Sequence, residues 1–383
     1  MSPTLPTHTS PHTTGMTTGT VTAPRVIPWA DSAREAAFAA WLARTAAAHG
    51  LDTGSLRLAA ADAGFRRYFR LESEHGSRSV MDAPPDKENC EPFVRIAALM
   101  AQAGLRVPEV LAWDEAGGFM LLSDLGTQTM LDVLQSDTSQ DPTPLATPLF
   151  HQAIDALITL QLASQPSVLP AYDAAVLQRE LALFPDWYLA QHRGITLDVT
   201  QRATLDSVFA QIVANNLAAP SVTVHRDFMP RNLMVGNDTL GVLDFQDALY
   251  GPITYDIASL LRDAFISWEE DFVLDITIRY WQRARKAGLP VGDDFGEFYR
   301  SVEWMGLQRH LKVAGIFARL TLRDGKPKYL ADTPRFIHYI RSTASRYREL
   351  TPLLRLIDKI EGNEVAVVQR VWSDAVVHNK NRL

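Results

Sequence analysis

A histidine, two arginines, an aspartate and an asparagine interrupt the apolar, β-forming segment VTVHRDFMPRNLMV at residues 222–235. Downstream, residues 233–235 and 240–243 flank the turn sequence GNDT, a pattern that predicts a β-hairpin. With the turn centred on Asp238, Leu233 pairs with Leu243, and Asn232 stands opposite Asp244. Directly opposed residues have Cβ atoms about 4.5–5.5 Å apart. An amide oxygen and a carboxylate at that separation could share a hard cation such as Mg²⁺.

Asp227 precedes Asn232 by five residues, on the loop that enters the hairpin. A carboxylate beside a metal–phosphate centre is suited to accept a hydrogen bond, and then a proton, from an attacking hydroxyl. We expect His225, two residues earlier, to brace the loop rather than react. Taken singly, these residues would be turn caps, because Asp and Asn bond readily to loop backbone. The combined spacing, His-x-Asp-x-x-x-x-Asn before an apolar run ending in Asp244, instead indicates the reaction centre of a kinase-type phosphotransferase.

The elements that must position these residues fall into two groups. In the first, Ser32 and Glu35 form a predicted capping box at the start of a helix that stops at Gly50. Short alternating runs over residues 55–82 then predict antiparallel strands. A second helix follows, with Phe93, Ile96, Ala97 and Met100 on its apolar face and Gly104 as its stop, and residues 109–125 read as a hairpin turned at Gly117 and Gly118.

The second group begins near residue 149, after which the apolar spacing is helical nearly to the end. Residues 135–148, QSDTSQDPTPLATP, predict a surface loop. We therefore expect an α+β fold with a small strand-rich part and a larger helical part joined near residues 123–126. Such a layout has a natural cleft between its two parts.

Composition excludes several classes of protein. The formal net charge of −7 argues against a nucleic-acid partner, which requires a basic face, and favours a small-molecule ligand. A polyphosphate ligand would need local positive charge, which divalent metal commonly supplies. The single cysteine, Cys90, excludes an intramolecular disulfide and suits a reducing cytoplasm. No apolar run is long enough to predict a membrane span, and the Thr- and Pro-rich residues 1–28 are expected to be a disordered tail.

With VHRDFMPRNLMV and GVLDFQDALYGPITYDIASLLRD, the chain resembles the aminoglycoside phosphotransferase family, the small-molecule branch of the protein-kinase-like fold. The resemblance implies two lobes, an N-lobe for nucleotide at 29–122 and a catalytic C-lobe at 123–383, with ATP and Mg²⁺ as cofactors. It implies Asp227 as the catalytic residue and Asn232 and Asp244 as metal ligands. In the family, the aspartate at the position of Asp256 steadies the catalytic loop, although a helix N-cap is compatible with the same sequence.

A closer resemblance covers most of the chain, through segments such as ADAGFRRYFRL, GFMLLSDLGTQTMLDVL and LQRHLKVAGIFARLTLRDGKPKYL. These are similar to the bacterial anomeric sugar kinases of cell-wall recycling. That branch implies phosphorylation of the C1 hydroxyl of N-acetylmuramate and N-acetylglucosamine to the α-1-phosphate. The composition favours a cytoplasmic protein with no nucleic-acid or membrane partner, and we expect a monomer. Other acceptors, such as an aminoglycoside, choline or homoserine, remain an alternative, as does a nucleotide-binding pseudokinase.

One departure from the family concerns the lysine that a small-lobe strand commonly offers to the α- and β-phosphates. In RSVMDAPP, Asp82 stands where that lysine is expected, and an aspartate there would repel phosphate. Arg66, Arg67 and Lys87 are the candidate replacements, and surface arginines on a hairpin are the alternative interpretation. Gly64 is the only glycine of the turn expected to cover the phosphates, so this turn is a weak phosphate signal.

The remaining candidates concern the two substrates. The connection between the lobes offers adenine its backbone groups, at Leu122, Ser123, Asp124 and Leu125. For the sugar, Gln246 and Asp247 follow the metal aspartate directly. A predicted helix carries four more polar or aromatic candidates, namely Trp304, Gln308, Arg309 and Lys312. A cation on that helix could meet the lactyl carboxylate of N-acetylmuramate, although charged helix residues are commonly solvated.

Overall fold

The computed structural model describes residues 29, 31–61, 65–236 and 238–362, apart from the side chains at positions 60, 61 and 328. The tail predicted at residues 1–28 and the turn glycine Gly64 lie outside the described residues. Within the described part, no helix has both the length and the apolar character needed to cross a bilayer.

The small part of the protein is a five-stranded antiparallel sheet, as its alternating runs and turns predict. The strands are β1 (Leu51–Ala61), β2 (Arg67–Ser73), β3 (Arg78–Asp82), β4 (Val110–Asp114) and β5 (Phe119–Ser123), in the spatial order β1-β2-β3-β5-β4. The predicted β4–β5 hairpin is confirmed. Gly118 closes it at φ +67°, and a Cβ there would stand 2.0 Å from the carbonyl oxygen of Ala83, so only glycine fits.

Helix α1 (Ser32–His49) covers the outer face of this sheet. Phe38, Trp41 and Leu42 pack there against strand residues that include Phe69 and Leu121. The predicted capping box is wrong, because Asp31 and not Ser32 is the N-cap: its carboxylate accepts a hydrogen bond from the N–H of Ala33 at 2.8 Å.

Helix α2 (Glu91–Gln102) lies between β3 and β4 in the chain and matches its prediction. Its buried residues are the predicted Phe93, Ile96, Ala97 and Met100, and Gly104 follows at φ +90°. The apolar face of α2 joins a core that runs continuously into the larger part of the protein. The two parts therefore share one core beside the cleft.

The larger part is mainly helical. Its helices are α3 (Met130–Ser136), α4 (Thr143–Leu162), α5 (Ala174–Leu183), α6 (Val199–Ala218), α7 (Thr254–Leu261), α8 (Glu270–Lys286), α9 (Phe295–Leu322), α10 (Thr333–Arg346) and α11 (Thr351–Glu361). A π-helix spans Phe184–His192, and 3₁₀ turns span Pro230–Asn232, Pro327–Asp332 and Arg348–Leu350. Two short antiparallel pairs complete it: β6 (Ser221–Val224) with β9 (Leu249–Pro252), and β7 (Leu233–Met234) with β8 (Gly241–Val242). The α+β fold class is confirmed.

Two features of this part differ from prediction. The surface loop predicted at residues 135–148 is shorter, because α4 already begins at Thr143 and contains Pro148 in its second turn. Pro148 has no N–H to donate to the carbonyl of Pro144, so the second turn of α4 lacks one helical hydrogen bond. Helix α9 is buried on most of its circumference between Val302 and Ala318, which decides the environment of several predicted site residues.

Candidate active site

The loop of residues 225–232 follows strand β6, and hydrogen bonds to α7 hold its backbone in place. Asp256, fully buried in the first turn of α7, accepts hydrogen bonds from the backbone N–H of His225 at 2.7 Å and of Arg226 at 3.0 Å. Burial raises the pKa of Asp256. Arg226 adopts φ +77°, a left-handed conformation that a non-glycine residue keeps only when its surroundings impose it. These two bonds impose it here.

The imidazole of His225 links this loop to the strand that leads into Asp244. Its Nδ1 accepts a hydrogen bond from the N–H of Asp227 at 3.2 Å, so its Nε2 carries the proton and donates to the carbonyl of Leu243 at 2.9 Å. Burial lowers the pKa of His225, so the ring is neutral. A neutral ring with both nitrogens engaged braces the loop.

Asn232 and Asp244 come together as expected, but by a different backbone route. The predicted hairpin register is wrong by one residue: Leu233 pairs with Val242, and the N–H of Leu243 donates to the carbonyl of Asn232 at 2.9 Å. A one-residue shift moves a side chain to the opposite face of a regular ladder. Asp244, however, leaves the ladder at φ +63°, and its Oδ2 lies 3.4 Å from Nδ2 of Asn232.

The donor set of this pair suits Mg²⁺. Nδ2 of Asn232 also donates to the carbonyl of Asp227 at 2.8 Å, which leaves the amide oxygen as its ligand atom. Oδ1 of Asp244 accepts from Nε2 of Gln246 at 2.7 Å. Among the described residues there is no group of three or more His, Cys, Asp or Glu that could hold a metal. A cation here would thus take one amide and one carboxylate oxygen and complete its shell with phosphate oxygens and water, which Mg²⁺ readily does.

A cleft of about 350 Å³ opens from this pair to the connection between the two parts. Its wall includes Asn232 and Asp244 at one end, and at the other Leu122, Ser123, Asp124 and Leu125. The backbone of this connection is partly engaged, because the N–H of Ser123 donates to the carbonyl of Glu109 and the carbonyl of Leu125 accepts from Arg106. Contact between these four residues and adenine stays a prediction. The N–H of Ser123 and the carbonyl of Leu125 already have partners in the protein, so the prediction concerns the other backbone groups of the segment.

The carboxylate of Asp124 is held by the sheet. Arg70 on β2 donates to it through Nη2 at 2.8 Å, and Ser77 donates through its hydroxyl at 2.6 Å. Burial acts to raise the pKa of Asp124, but these hydrogen bonds outweigh it and lower the pKa below its ordinary value. Arg70 lines the cleft and was not predicted, although it alternates along β2 with the buried Phe69 and Leu71. Because successive side chains of a strand point to opposite faces, this alternation could have predicted that Arg70 lies on the face opposite to Phe69 and Leu71.

The expected repulsion between Asp82 and phosphate is wrong, because Asp82 points away from the cleft. Its carboxylate accepts from Nε of Arg34 at 2.9 Å and from Nε of Arg67 at 3.0 Å, on the face of the sheet that α1 covers. Arg67 therefore faces away from the cleft as well, and its guanidinium carbon lies 4.0 Å from the centroid of the Trp29 ring. The side chain on the cleft side of this strand end is the buried, apolar Met81.

The two other predicted phosphate cations also have carboxylate neighbours. Arg66 lies 3.6 Å from Glu88, and the exposed Lys87 lies 3.2 Å from Asp86. Neither residue is part of the cleft wall described above. Their assignment to the nucleotide gains no support from their placement.

The four sugar candidates on α9 are buried, not presented to the cleft. Trp304 is 2% exposed and packs against Tyr347, and Gln308 donates to the carbonyl of Leu177 at 3.0 Å. Arg309 donates to the carbonyl of Arg226 at 2.8 Å. Nζ of the buried Lys312 donates to the hydroxyl of Tyr255 at 3.0 Å. This placement gives no support to direct sugar contact by the four residues, because their side chains pack in the core next to the 225–232 loop.

Of the two candidates that follow Asp244, Gln246 bonds to that aspartate, as described above. Asp247 is exposed, and its carbonyl accepts from Nη1 of Arg226 at 3.4 Å. Gln246 thus contacts Asp244 directly, and Asp247 is exposed three residues beyond that aspartate.

Glu180 of α5 was missed by the sequence reasoning and links α9 to the loop. It is buried and accepts from Nη2 of Arg226 at 2.8 Å and from Tyr172, while Nζ of Lys312 lies 3.1 Å away. Burial acts to raise the pKa of Glu180, but Lys312 and Arg226 outweigh it and lower the pKa. The sequence does carry an indication of this role, because Glu180 lies with Leu177 and Leu181 on the apolar face of α5. A glutamate buried on such a face needs a cationic partner.

Comparison with known proteins agrees with this geometry. The model of the phosphotransferase enzyme family matches residues 55–293. An N-acetylmuramate/N-acetylglucosamine kinase of Pseudomonas aeruginosa is 51% identical over 299 residues, covering 78% of this chain and 86% of the relative. The kinase of the same name from Neisseria meningitidis serogroup B is 51% identical over 310 residues, covering 81% and 91%.

Solved structures share the fold at low sequence identity. An amicoumacin kinase in complex with AMP-PNP and Ca²⁺ superimposes with a TM-score of 0.54 at 14% identity, covering 80% of this chain and 94% of that one. That protein therefore has the same two-lobed architecture.

Proposed function

This chain belongs to the phosphotransferase enzyme family, and from that premise we propose that it is an ATP- and Mg²⁺-dependent sugar kinase. Its proposed acceptor is the anomeric C1 hydroxyl of N-acetylmuramate and N-acetylglucosamine, the sugars for which the relatives are named. The observation that carries the proposal is the meeting of Asn232 and Asp244 in the wall of the cleft, with Asp227 on the same braced loop as Asn232.

In this proposal the loop of residues 225–232 orients the acceptor. Asp227 accepts a hydrogen bond from the C1 hydroxyl and takes its proton as the sugar oxygen bonds to the γ-phosphorus and the bond from that phosphorus to the ADP oxygen breaks. Asn232 and Asp244 would hold Mg²⁺, which when bound neutralises charge on the β- and γ-phosphates. An anomeric hydroxyl is more acidic than an ordinary alcohol, so a carboxylate is an adequate base.

We further propose that residues 29–122 form the nucleotide-binding lobe and residues 123–383 the catalytic lobe, and that the enzyme acts as a monomer. The buried contacts of His225 and Asp256 support a positioning role for both, because they fix the loop without reaching the cleft. Gln246 and Asp247 remain proposed sugar contacts, since Gln246 bonds to Asp244 and Asp247 is exposed close to it in the chain.

The test is incubation with Mg-ATP and a panel of the two amino sugars, an aminoglycoside, choline and homoserine, followed by ³¹P NMR. We expect a product whose phosphorus couples to the anomeric proton. Asp227→Asn should lower turnover roughly 10²- to 10⁴-fold and leave nucleotide binding nearly unchanged. Product on another hydroxyl would reject the sugar assignment, nucleotide binding without any product would favour a pseudokinase, and unchanged turnover in Asp227→Asn would reject the base.

A further inference from the structure

If the proposed function holds, the cleft must balance the charge of a nucleoside triphosphate within a protein whose formal net charge is −7. The two proposed metal ligands are the amide of Asn232 and the carboxylate of Asp244, and neither of them is a cation. The γ-phosphate therefore needs a cationic side chain from elsewhere in the protein, because phosphoryl transfer depends on neutralising its equatorial oxygens. Such a cation must lie near Asn232 and Asp244 and must not already be neutralised.

The small lobe offers no such group in its described part. Arg34 and Arg67 are held by Asp82 on the far face of the sheet, and Met81 occupies the cleft side of the same strand end. Arg70 does line the cleft, but its guanidinium is shared between the carboxylate of Asp124 and the carbonyl of Gly126. That guanidinium is thus committed to the connection between the lobes.

Arg231 meets both requirements. It is exposed in the cleft wall beside Asn232 and Asp244, on the 3₁₀ turn in which Asn232 points inward and is 8% exposed. Its guanidinium carbon lies 4.9 Å from the centroid of the Phe265 ring. No carboxylate among the described residues lies within ion-pairing distance of it.

Phe265 is a fixed support for this guanidinium. The N–H of Phe265 donates to Oδ1 of the buried Asp263 at 2.7 Å, and its ring packs against Phe317 on α9 at 6.0 Å. An aromatic face attracts a cation without cancelling its charge and without using its N–H donors. The guanidinium is therefore positioned, still charged and able to form hydrogen bonds with an anion in the cleft.

We propose that Arg231 is a further catalytic residue, which donates to the γ-phosphate oxygens and supplies the positive charge that the small lobe lacks. An arginine suits this role because its planar fork can donate two parallel hydrogen bonds to one phosphate. The acceptor carboxylate of N-acetylmuramate is the competing anion, and the two sugars separate the cases because N-acetylglucosamine carries no carboxylate.

A binding experiment tests the contact without any acceptor. Calorimetry would compare Mg-AMP-PNP, which has a γ-phosphate, with Mg-ADP, which has none. We expect Arg231→Gln to weaken Mg-AMP-PNP about 10- to 100-fold, as for loss of a charged hydrogen bond, and to change Mg-ADP less than about threefold. Arg231→Lys should recover part of the loss. The control Arg202→Gln removes an exposed arginine of α6 and should change neither affinity.

Equal losses for the two nucleotides, or no loss for either, would overturn the proposal. Turnover gives a second check: kcat of Arg231→Gln should fall about 10²- to 10³-fold with both sugars. A rise in KM for N-acetylmuramate alone would instead assign Arg231 to the lactyl carboxylate and overturn the phosphate contact. If the wild type yields no sugar phosphate, the proposed acceptor is wrong, yet the two nucleotides still decide the role of Arg231.

Discussion

At the scale of single residues, Asp82 shows how a side chain's direction changes the meaning of its charge. Its carboxylate is fully buried and shared by Arg34 and Arg67, which are themselves only partly exposed. Removal of one member of a buried ion cluster leaves the others unbalanced and is destabilising. The same carboxylate points away from the cleft, so its charge has little influence on bound phosphate.

We therefore predict that Asp82→Asn lowers the free energy of unfolding by roughly 2 kcal/mol, below the 3–5 kcal/mol of fully buried pairs because both arginines retain water contact. Urea denaturation would measure this loss. Glu72→Gln is the matched control, since Glu72 and Arg57 form an exposed pair on the same sheet and should contribute less than about 1 kcal/mol. Affinity for Mg-ATP should not rise, and tighter nucleotide binding in Asp82→Asn would restore the repulsion hypothesis.

At the scale of elements, local signals were sufficient wherever one segment determines its own structure. The face of α2 and the β4–β5 hairpin follow from apolar spacing and from Gly118, whose conformation the turn requires. The β7–β8 register could not be predicted, because two-residue strands carry too little pattern to fix it. The left-handed backbone of Asp244, which returns its side chain to Asn232, has no sequence signal of its own.

Helix α9 shows the other limit of sequence reasoning. Arg309 and Lys312 read as solvated or ligand-binding cations, because charged residues are rarely buried without partners. Their partners are Glu180 and the backbone of Arg226, which lie far away in the sequence. Since no local pattern links α9 to α5 or to the 225–232 loop, only the tertiary structure reveals that these cations position the loop.

Two glycines of α9 give the prediction that belongs to this scale. A Cβ at Gly315 would stand 2.3 Å from the carbonyl oxygen of Leu183, the last residue of α5, so Gly315→Ala must push the two helices apart. We expect a loss of about 1–3 kcal/mol in unfolding free energy, and lower turnover because Glu180 moves with α5.

Gly306 lies on the same helix with ordinary contacts, the nearest being Cγ of Arg262 at 3.6 Å. Gly306→Ala should therefore stabilise the protein by up to about 1 kcal/mol, the difference in helix propensity, and leave turnover unchanged. Thermal denaturation and initial rates of both variants would check the contrast. Equal behaviour of the two alanine variants would contradict the close packing of α9 on α5.

At the scale of the whole molecule, neutral buried histidines make stability depend on pH. Burial, with help from Arg262 and Arg309, lowers the pKa of His310 from 6.5 to about 3, and burial also lowers that of His225. Between the folded and unfolded pKa values, the unfolded chain binds protons that the folded chain excludes. Stability is therefore complete above about pH 6.5 and is lost as the pH falls below it.

For His310 the loss amounts to about 1.4 kcal/mol per pH unit below 6.5, or about 2 kcal/mol at pH 5. Buried Asp256 and Asp263 act in the opposite sense, since burial raises their pKa values and their protonation favours the folded state. Both carboxylates are present in wild type and in His310→Gln, so their contribution to the pH dependence of stability drops out when the two proteins are compared. The unfolding free energy of His310→Gln should fall less steeply from pH 7 to pH 5, whereas His75→Gln, at an exposed histidine, should follow the wild type. Parallel curves for wild type and His310→Gln would show that His310 accepts a proton in the folded protein as easily as in the unfolded chain.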